Sequence, residues 1–309
     1  MNTQSNAIPE SFDSQRVAPA LNSATRPMYW SVRRELFEYR SIYVAPLAVA
    51  ALFLFGYLIS AIRLPHKLQA AALDPMQQHK LIAHPYDVAA LLIMGVTFII
   101  ALFYSLDALH GERRDRSILF WKSLPVSDLT TVLSKASIPL VVIPLLSFAI
   151  TVVTQFIMLL LSTLVLRGSG PSTATLWTQS ALLPMSLMLL YHLVTVHILW
   201  HAPIYGWLIL VSGWARRAAF LWAVLPPAAI CVVEKLAFNS SHFAAWLLYR
   251  FAGGPESSTM PGASEIDPMM LTHLSPGRFL TTPGLWMGLA VAAAFFVAAA
   301  QQRRYRGPI

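Results

Sequence analysis

Six long apolar stretches constrain the fold of this chain more than any other feature of its sequence. Each reaches or approaches about 20 mostly apolar residues, the length at which an α-helix crosses a bilayer. Only 12% of the 309 residues are charged, against about a quarter in soluble domains. The sequence therefore predicts an all-α polytopic membrane protein with six transmembrane helices. The stretches are roughly 42–62, 86–106, 136–166, 174–200, 218–236 and 283–301.

Basic residues flank these stretches and predict an orientation. Most of the 22 Lys and Arg fall before the first stretch, between the second and third, between the fourth and fifth, and after the sixth. Six spans put these four segments on one side, and the positive-inside rule makes that side cytoplasmic. Both termini are then predicted to be cytoplasmic, in a multi-pass protein of a cell membrane, with a bacterial inner membrane as the expected location. Charge placed beside spans also argues against nucleic acid as a partner.

The segments outside the spans differ in composition. Residues 1–27 are polar and lack the apolar core of a signal peptide, which predicts a disordered cytoplasmic tail. The six-span domain covers 42–301, and 302–309 is a basic cytoplasmic tail. Between the last two spans, 237–282 is a large external segment, in which "HFAAWLLYRF" is amphipathic and can re-enter the membrane while "GGPESSTMPGASEIDP" reads as a flexible loop.

A helix that lies in the membrane interface is predicted for 28–41, just before the first span. At helical spacing its apolar stripe consists of Tyr29, Val32, Leu36, Tyr39 and Tyr43. The opposite face carries Arg34, Glu35 and Glu38, while Arg33 and Arg40 can snorkel at the flank. The residues assigned to this interfacial helix are Tyr29, Trp30, Arg33, Arg34 and Leu36. The alternative is a basic flank that only anchors the first span.

The loop 107–135, between the second and third spans, has its own amphipathic content. A charged turn, Glu112–Arg116, precedes the apolar run Ile118–Trp121, and Leu124-Pro125 ends that short helix. Ser127 and Asp128 are good N-cap residues for a helix that leads into the third span. A short helix with large apolar side chains and cationic edges fits a groove on another protein.

At these residues the chain resembles the type-2 ATP-binding-cassette (ABC) exporter permeases, and the resemblance extends over nearly its whole length. Those permeases typically show an acidic residue that opens this loop, a short helix, an "LPVS"-like break and a basic residue before span three. The corresponding residues here are Glu112, Ile118–Ser123, Leu124–Ser127 and Lys135. One departure is visible, because Arg116-Ser117 replaces the Gly-Thr pair common in the middle of the loop.

The resemblance implies the transmembrane subunit of an exporter, paired with a second copy of itself or a similar permease and docked through this coupling helix onto an ATPase subunit. The 14 glycines form no G-x-x-x-x-G-K-[ST] run, so ATP and Mg are expected on the partner, and this chain is expected to bind no cofactor and to be no enzyme. The docking residues are Glu112, Arg113, Arg114, Arg116, Phe120, Trp121, Leu124 and Pro125. Two alternatives stay open: the arginines can be positive-inside signals, and Trp121 can be a headgroup-level anchor.

Polar side chains form one face of the third apolar stretch. They recur at helical spacing, with Met158 completing the stripe. Such a face can line the substrate path or form the subunit interface, or its hydroxyls can bond back to their own helix and aid packing. The polar residues are Ser147, Thr151, Thr154, Gln155 and Ser162.

Histidines in the fourth stretch suggest a metal site at first sight. On a straight helix, however, His192 points away from His197 and His201, so one helix cannot bring the three together. No metal site is predicted, although one completed across a dimer stays open. Hydrogen bonds within the bundle are the expected role, with His201 near the cytoplasmic interface.

Glu234 is an acid within the fifth stretch, placed near the outer interface beside Lys235. An external ion pair, a role in substrate entry, or plain interfacial placement would each fit. The single cysteine, Cys231, excludes an intrachain disulfide and a cysteine-based zinc site. No catalytic arrangement emerges from the chain.

Two other functions remain alternatives to a permease subunit. The first is a membrane-embedded enzyme, which needs polar residues converging near one interface. The second is an adaptor that recruits an ATPase without moving a substrate. The substrate itself is not indicated by any residue pattern.

Overall fold

The computed structural model describes residues 25–71, 74–123, 126–167, 176–177, 182–255 and 276–305. Within these ranges the chain forms helices and turns and no strand. Six of the helical segments are long and apolar enough to cross a membrane. They are consistent with a multi-pass membrane protein, so the predicted helical class and span number are confirmed at this level.

The six spans comprise nine helical segments, because the third and fourth each contain a π-helical stretch. Spans 1, 2, 5 and 6 are α2 (Ser41–Ala61), α4 (Pro75–Asp107), α11 (Ala219–Phe238) and α14 (Pro283–Tyr305). Span 3 consists of α7 (Asp128–Ser137), a π segment (Ile138–Val142) and α8 (Ile143–Leu166), and span 4 of α9 (Leu182–His192) and a π segment (Leu193–Trp200). The remaining described helices are α1 (Thr25–Glu38), α3 (Leu64–Ala70), α5 (His110–Arg114), α6 (Ile118–Ser123), α10 (Ala202–Trp214), α12 (His242–Phe251) and α13 (Pro276–Leu280).

Span 2 begins about three turns earlier than the apolar pattern predicts. Asp74 is its N-cap, and Oδ1 accepts hydrogen bonds from the backbone N–H groups of Met76 at 3.0 Å and Gln77 at 3.2 Å. Pro75 then occupies the first helical position, where its fixed φ fits. The cap and the proline start the helix in polar sequence, ahead of the apolar residues.

Span 3 is irregular where it enters its apolar part. Pro139 and Pro144 lack the N–H that a regular helix needs, and the π segment Ile138–Val142, which contains Pro139, precedes Pro144.

Span 4, predicted over 174–200, is followed almost directly by another apolar helix. After a single non-helical residue, His201, the chain continues as α10 to Trp214. The 13 residues of α10 add about 20 Å. His201 is thus separated by this length from the end of α10, whose carbonyl oxygens Arg113 contacts. The location of His201 near the cytoplasmic interface stays a prediction.

The helices pack as two groups joined through a shared core. The helices α2, α4 and α8 enclose one core around Tyr57, Tyr86 and Met158, while α10 packs along α14, where Gly206 lies against Ala292. A third core, containing residues of α4, span 3 and α10, joins the groups. We call the end of the bundle where α1, α5 and the last turn of α14 meet the near end, and the opposite end, at Tyr57 and Tyr86, the far end.

Helix α1 overlaps the predicted interfacial segment 28–41, but it begins and ends three residues earlier, at Thr25 and Glu38. Val32, Leu36 and Tyr39 of the apolar stripe pack on the shared core of the chain itself, whereas Tyr29 and Trp30 are exposed. The location of α1 in a membrane interface stays a prediction. The N-terminal tail up to residue 24 and the C-terminal residues 306–309 lie outside the described residues.

Candidate functional site

Two charged residues that carry the family resemblance meet inside the protein. Glu112 of α5 and Lys135 of α7 are both buried, and Lys135 Nζ lies 3.3 Å from Glu112 Oε1. Lys135 also donates a hydrogen bond of 2.7 Å to Glu35 Oε1 of α1. The residue that opens the loop and the residue that closes it therefore form one ion pair, which α1 completes.

The end of span 6 contributes the second cation. Arg303 Nη2 lies 3.1 Å from Glu112 Oε2, and Nη1 donates to Asp128 Oδ1 at 2.7 Å. Because Asp128 is the first residue of α7, Arg303 connects α14 to both α5 and α7. Arg303 is 5% exposed, so these charges are largely desolvated.

Three carboxylates and three cations make up this charged cluster, which we define as Arg34, Glu35, Glu112, Asp128, Lys135 and Arg303. Arg34 Nη1 lies 3.7 Å from Glu112 Oε1, and its Nη2 lies 2.9 Å from Glu38. The Tyr104 hydroxyl donates to Glu35 Oε2 at 2.9 Å. Formal charges within the cluster balance, which is the condition under which buried charges are tolerated.

Tyr39 extends these contacts at the start of span 1. Its hydroxyl donates to Asp107 Oδ2 at 3.0 Å. Burial raises the pKa of Tyr39, with the neighbouring carboxylate of Asp107 adding to the effect, so the hydroxyl keeps its proton and remains a donor.

Arg113 does not lie on an exposed docking face. It is 6% exposed, and its Nη1 donates to the carbonyl oxygens of Gly213 at 2.7 Å and Ala215 at 3.2 Å. These carbonyls lie at the C-terminal end of α10, where a cation also interacts favourably with the helix dipole. The burial of Glu112 and Arg113 makes both residues part of the chain's own core rather than direct partner contacts.

The exposed part of the loop follows this buried base. Arg114 and Arg116 are exposed, and on α6 Ile118 is buried while Leu119 is 60% exposed. Phe120 and Trp121 lie on α6, but their side chains are outside the described part, as are Leu124 and Pro125. The α6 helix expected before the "LPVS" break is present, and its docking role stays a prediction.

Arg116 adopts a backbone conformation that glycine favours. Its φ is 59°, and the left-handed region costs a residue with a Cβ about 1–2 kcal/mol. This is the position at which the resembled permeases commonly carry glycine.

Replacing Arg116 by glycine is expected to stabilise the protein by about 0.5–1 kcal/mol. Glycine removes the steric strain of the left-handed conformation, and the greater conformational entropy of glycine in the unfolded chain offsets part of that gain. Denaturant titration of the purified chain in detergent measures this. The matched control is Arg114→Gly, inside α5, which should destabilise by about 1 kcal/mol. A destabilised Arg116→Gly variant contradicts the assignment.

The polar face of span 3 is buried within the chain. None of its five polar residues is more than 2% exposed. Thr151, Thr154 and Ser162 donate to carbonyl oxygens four residues earlier, and Thr97 of span 2 donates to Ser147 at 3.0 Å. Gln155 donates to the Tyr86 carbonyl at 3.3 Å. The face packs α8 against α2 and α4, so it forms no exposed surface for a second subunit; Ser162 alone also lines a cavity at the far end.

His197 and His201 are neighbours, with ring centroids 5.4 Å apart, as helical spacing predicts. His192 Nδ1 lies 3.2 Å from the Met188 carbonyl, whereas His201 Nε2 lies 3.3 Å from the Phe251 carbonyl. The ring of Phe98, on span 2, contacts His197 edge-on and His201 in a tilted arrangement. No group of three or more metal-ligating side chains occurs among the described residues.

Glu234 has a structural role that its position in span 5 did not reveal. Its Oε1 accepts hydrogen bonds from the Ser240 hydroxyl at 2.8 Å and the His242 N–H at 2.7 Å, and Oε2 accepts from the Phe243 N–H at 2.9 Å. The carboxylate thus caps the N-terminus of α12, the predicted amphipathic piece, in a charge-assisted way.

The chain matches no protein-family model, no curated protein and no solved structure.

Proposed function

We propose that this chain is the membrane-spanning permease subunit of an ATP-driven ABC exporter that moves a substrate outward. The observation that supports this best is the loop between spans 2 and 3. Its two diagnostic charges, Glu112 and Lys135, form a buried ion pair. That pair holds α5 at the base of the loop. Residues beyond it are exposed, among them Arg114 at the end of α5, Arg116 in the following turn and Leu119 on α6.

The division between buried and exposed residues supports a docking element. Glu112 and Arg113 hold α5 against the bundle, so they act as positioning residues, while the outward arginines would meet acidic groups of an ATPase. Leu119 joins Phe120, Trp121 and Leu124 as a candidate anchor, because large apolar side chains at the centre of an interface dominate its binding energy. The ATPase would hold ATP and Mg, since this sequence contains no P-loop.

In this proposal the near end faces the cytoplasm and both termini lie there. The cationic loop, Arg216, Arg217 and the basic end of α14 would follow the positive-inside rule. The subunit would pair with a second copy or with a similar permease, in a bacterial inner membrane.

Co-purification tests the proposal directly. The tagged chain, extracted from its native membrane, is expected to bring with it a soluble chain that carries a P-loop. Trp121→Glu and Phe120→Glu should weaken that association on the order of tenfold or more, since charge replaces a buried anchor. The control is Trp286→Glu, an exposed tryptophan at the far end.

The alternatives give different results in the same preparation. ATP-dependent substrate accumulation in sealed inverted vesicles supports an exporter, whereas ATP hydrolysis without accumulation indicates an adaptor. Catalytic turnover by the chain alone, with no ATPase bound, indicates a membrane enzyme and overturns the proposal.

A further inference from the structure

A cavity of about 450 Å³ opens at the far end, between α2, α3, α4 and α8. This volume lies within the range of about 300–1,000 Å³ typical of small-molecule sites. Tyr57 of α2 and Ser162 of α8 line it, with their hydroxyls 2.6 Å apart. Leu64 and Leu176 add apolar wall. The cavity is thus a built recess with both polar and apolar walls.

Asp87 lines this cavity with one carboxylate oxygen unsatisfied. Its Oδ1 is buried and accepts no hydrogen bond from the described residues. The imidazoles of His79 and His84, which line the same cavity, interact with Asp87 electrostatically. A carboxylate left unsatisfied inside a span costs free energy. Acids in such positions mark ligand or ion sites more often than packing sites.

Cationic side chains lie toward the mouth of the same cavity. Lys67 comes from α3 and Lys80 from α4, and both are exposed. Gln77, Lys80, His84 and Asp87 follow one another at intervals of three and four residues, so they share one face of α4. Lys80 and Asp87 are separated by about 10 Å along the helix axis. The charge of the wall therefore changes from positive at the mouth to negative further in.

We propose that this cavity binds a phosphoethanolamine group, with its ammonium at Asp87 and its phosphate at Lys67 and Lys80. An ammonium supplies a donor for Asp87 Oδ1, which accepts no hydrogen bond from the described residues. Two lysines from two helices suit the charge of a phosphate, and their flexible stems let the ammonium groups reach inward. Asp87 would repel a simple anion, and the lysines would repel a simple cation. A zwitterion can place its positive group at Asp87 and its negative group at the lysines, so its charges match those of the cavity.

A metal ion does not fit the same residues. The described residues contain no group of three or more His, Cys, Asp or Glu side chains that could hold one.

The same phosphoethanolamine chemistry can arrive from two sources, a free O-phosphoethanolamine or the headgroup of phosphatidylethanolamine. This inference does not depend on the proposed ATP-driven function, because it concerns binding to the chain itself.

Calorimetric titration of the full-length chain in phosphatidylcholine nanodiscs tests the free source. O-phosphoethanolamine is expected to bind at least tenfold more tightly than ethanolamine or inorganic phosphate. Asp87→Asn and Lys80→Gln should each weaken its binding at least tenfold. Lys235→Gln, an exposed lysine that does not line the cavity, should bind like the unmodified chain.

Native mass spectrometry of the chain in mixed nanodiscs tests the lipid source. If the headgroup is the ligand, the unmodified chain and Lys235→Gln should retain phosphatidylethanolamine. Asp87→Asn and Lys80→Gln should lose it. The variants are compared only where their unfolding temperatures match that of the unmodified chain, and Asp87→Glu keeps the charge if Asp87→Asn fails to fold. Binding of neither source, or equal binding by Asp87→Asn, overturns the proposal.

Discussion

Replacing Lys135 by methionine is expected to lower the free energy of unfolding by about 3–5 kcal/mol, the range for breaking a buried ion pair from one side. Lys135 is 2% exposed and lies 2.7 Å from Glu35 and 3.3 Å from Glu112. Without its ammonium, the two carboxylates lose their shared cation in a place where water cannot replace it. The charge balance of the cluster is lost as well.

A compensating substitution separates charge from packing. Lys135→Met combined with Glu35→Gln removes one charge of each sign, so the double variant should recover part of the lost stability and show strong non-additivity. Denaturant titration in detergent micelles gives the four free energies of the cycle. Lys235→Met, at an exposed site, should change stability by less than about 0.5 kcal/mol. Strict additivity of the two substitutions contradicts a shared cluster.

The cluster also determines what the coupling loop can do in the proposed exporter. Glu112 contacts cations from α1, α7 and α14, and Arg113 binds the end of α10. Four helices therefore hold α5, the base of the loop, in one position. In the proposed exporter a force applied to the exposed turn would reach span 3, α10 and span 6 together, because desolvated ion pairs resist separation.

The sequence predicted the span number because apolar length is a local property. Every apolar stretch corresponds to a span in the structure. The starts of spans 2 and 3 and the helix that continues after span 4, however, differ from the bounds that the apolar pattern predicts. Asp74 begins span 2 through side-chain capping in polar sequence, and His201 separates span 4 from α10 by one residue only. Both outcomes depend on hydrogen bonds, which an apolar pattern does not contain.

The site could be predicted only in part. Glu112 and Lys135 were identified as motif residues, but their pairing depends on contacts between elements 23 residues apart in sequence. Glu35 is the clearest miss: helical spacing placed it on the polar side of α1, and the structure buries it. A signal was present, since Glu35 follows Val32 by three residues and precedes Tyr39 by four, positions on the same helical face. Tyr104, Asp128 and Arg303 gave no local signal, because each is ordinary for its place near a span end.

Trp200 is the last residue of span 4 and packs in the interior of the protein, so Trp200→Ala is expected to lower the free energy of unfolding by about 3–5 kcal/mol. The side chain is 1% exposed. Arg250 of α12 stacks over its ring at 4.3 Å, and the rings of Tyr249 and Phe279 contact it at 5.5 and 6.3 Å. Its loss would leave a cavity where α12, α13 and the start of span 6 meet, and would remove the cation–π partner of a buried arginine.

Gly254 provides an independent test of the same contact. It has a φ of 65°, and a Cβ added there would overlap the Trp200 indole, so Gly254→Ala should cost about 1–3 kcal/mol through backbone strain and overpacking. In the Trp200→Ala background the indole is absent, and the same substitution should cost less, by about 1–2 kcal/mol. Denaturant titration of both singles and the double measures this difference. Gly277→Ala, where a Cβ meets no atom within 4 Å, should leave stability unchanged or slightly raised, and an equal cost of Gly254→Ala in both backgrounds would show that Gly254 does not pack on Trp200.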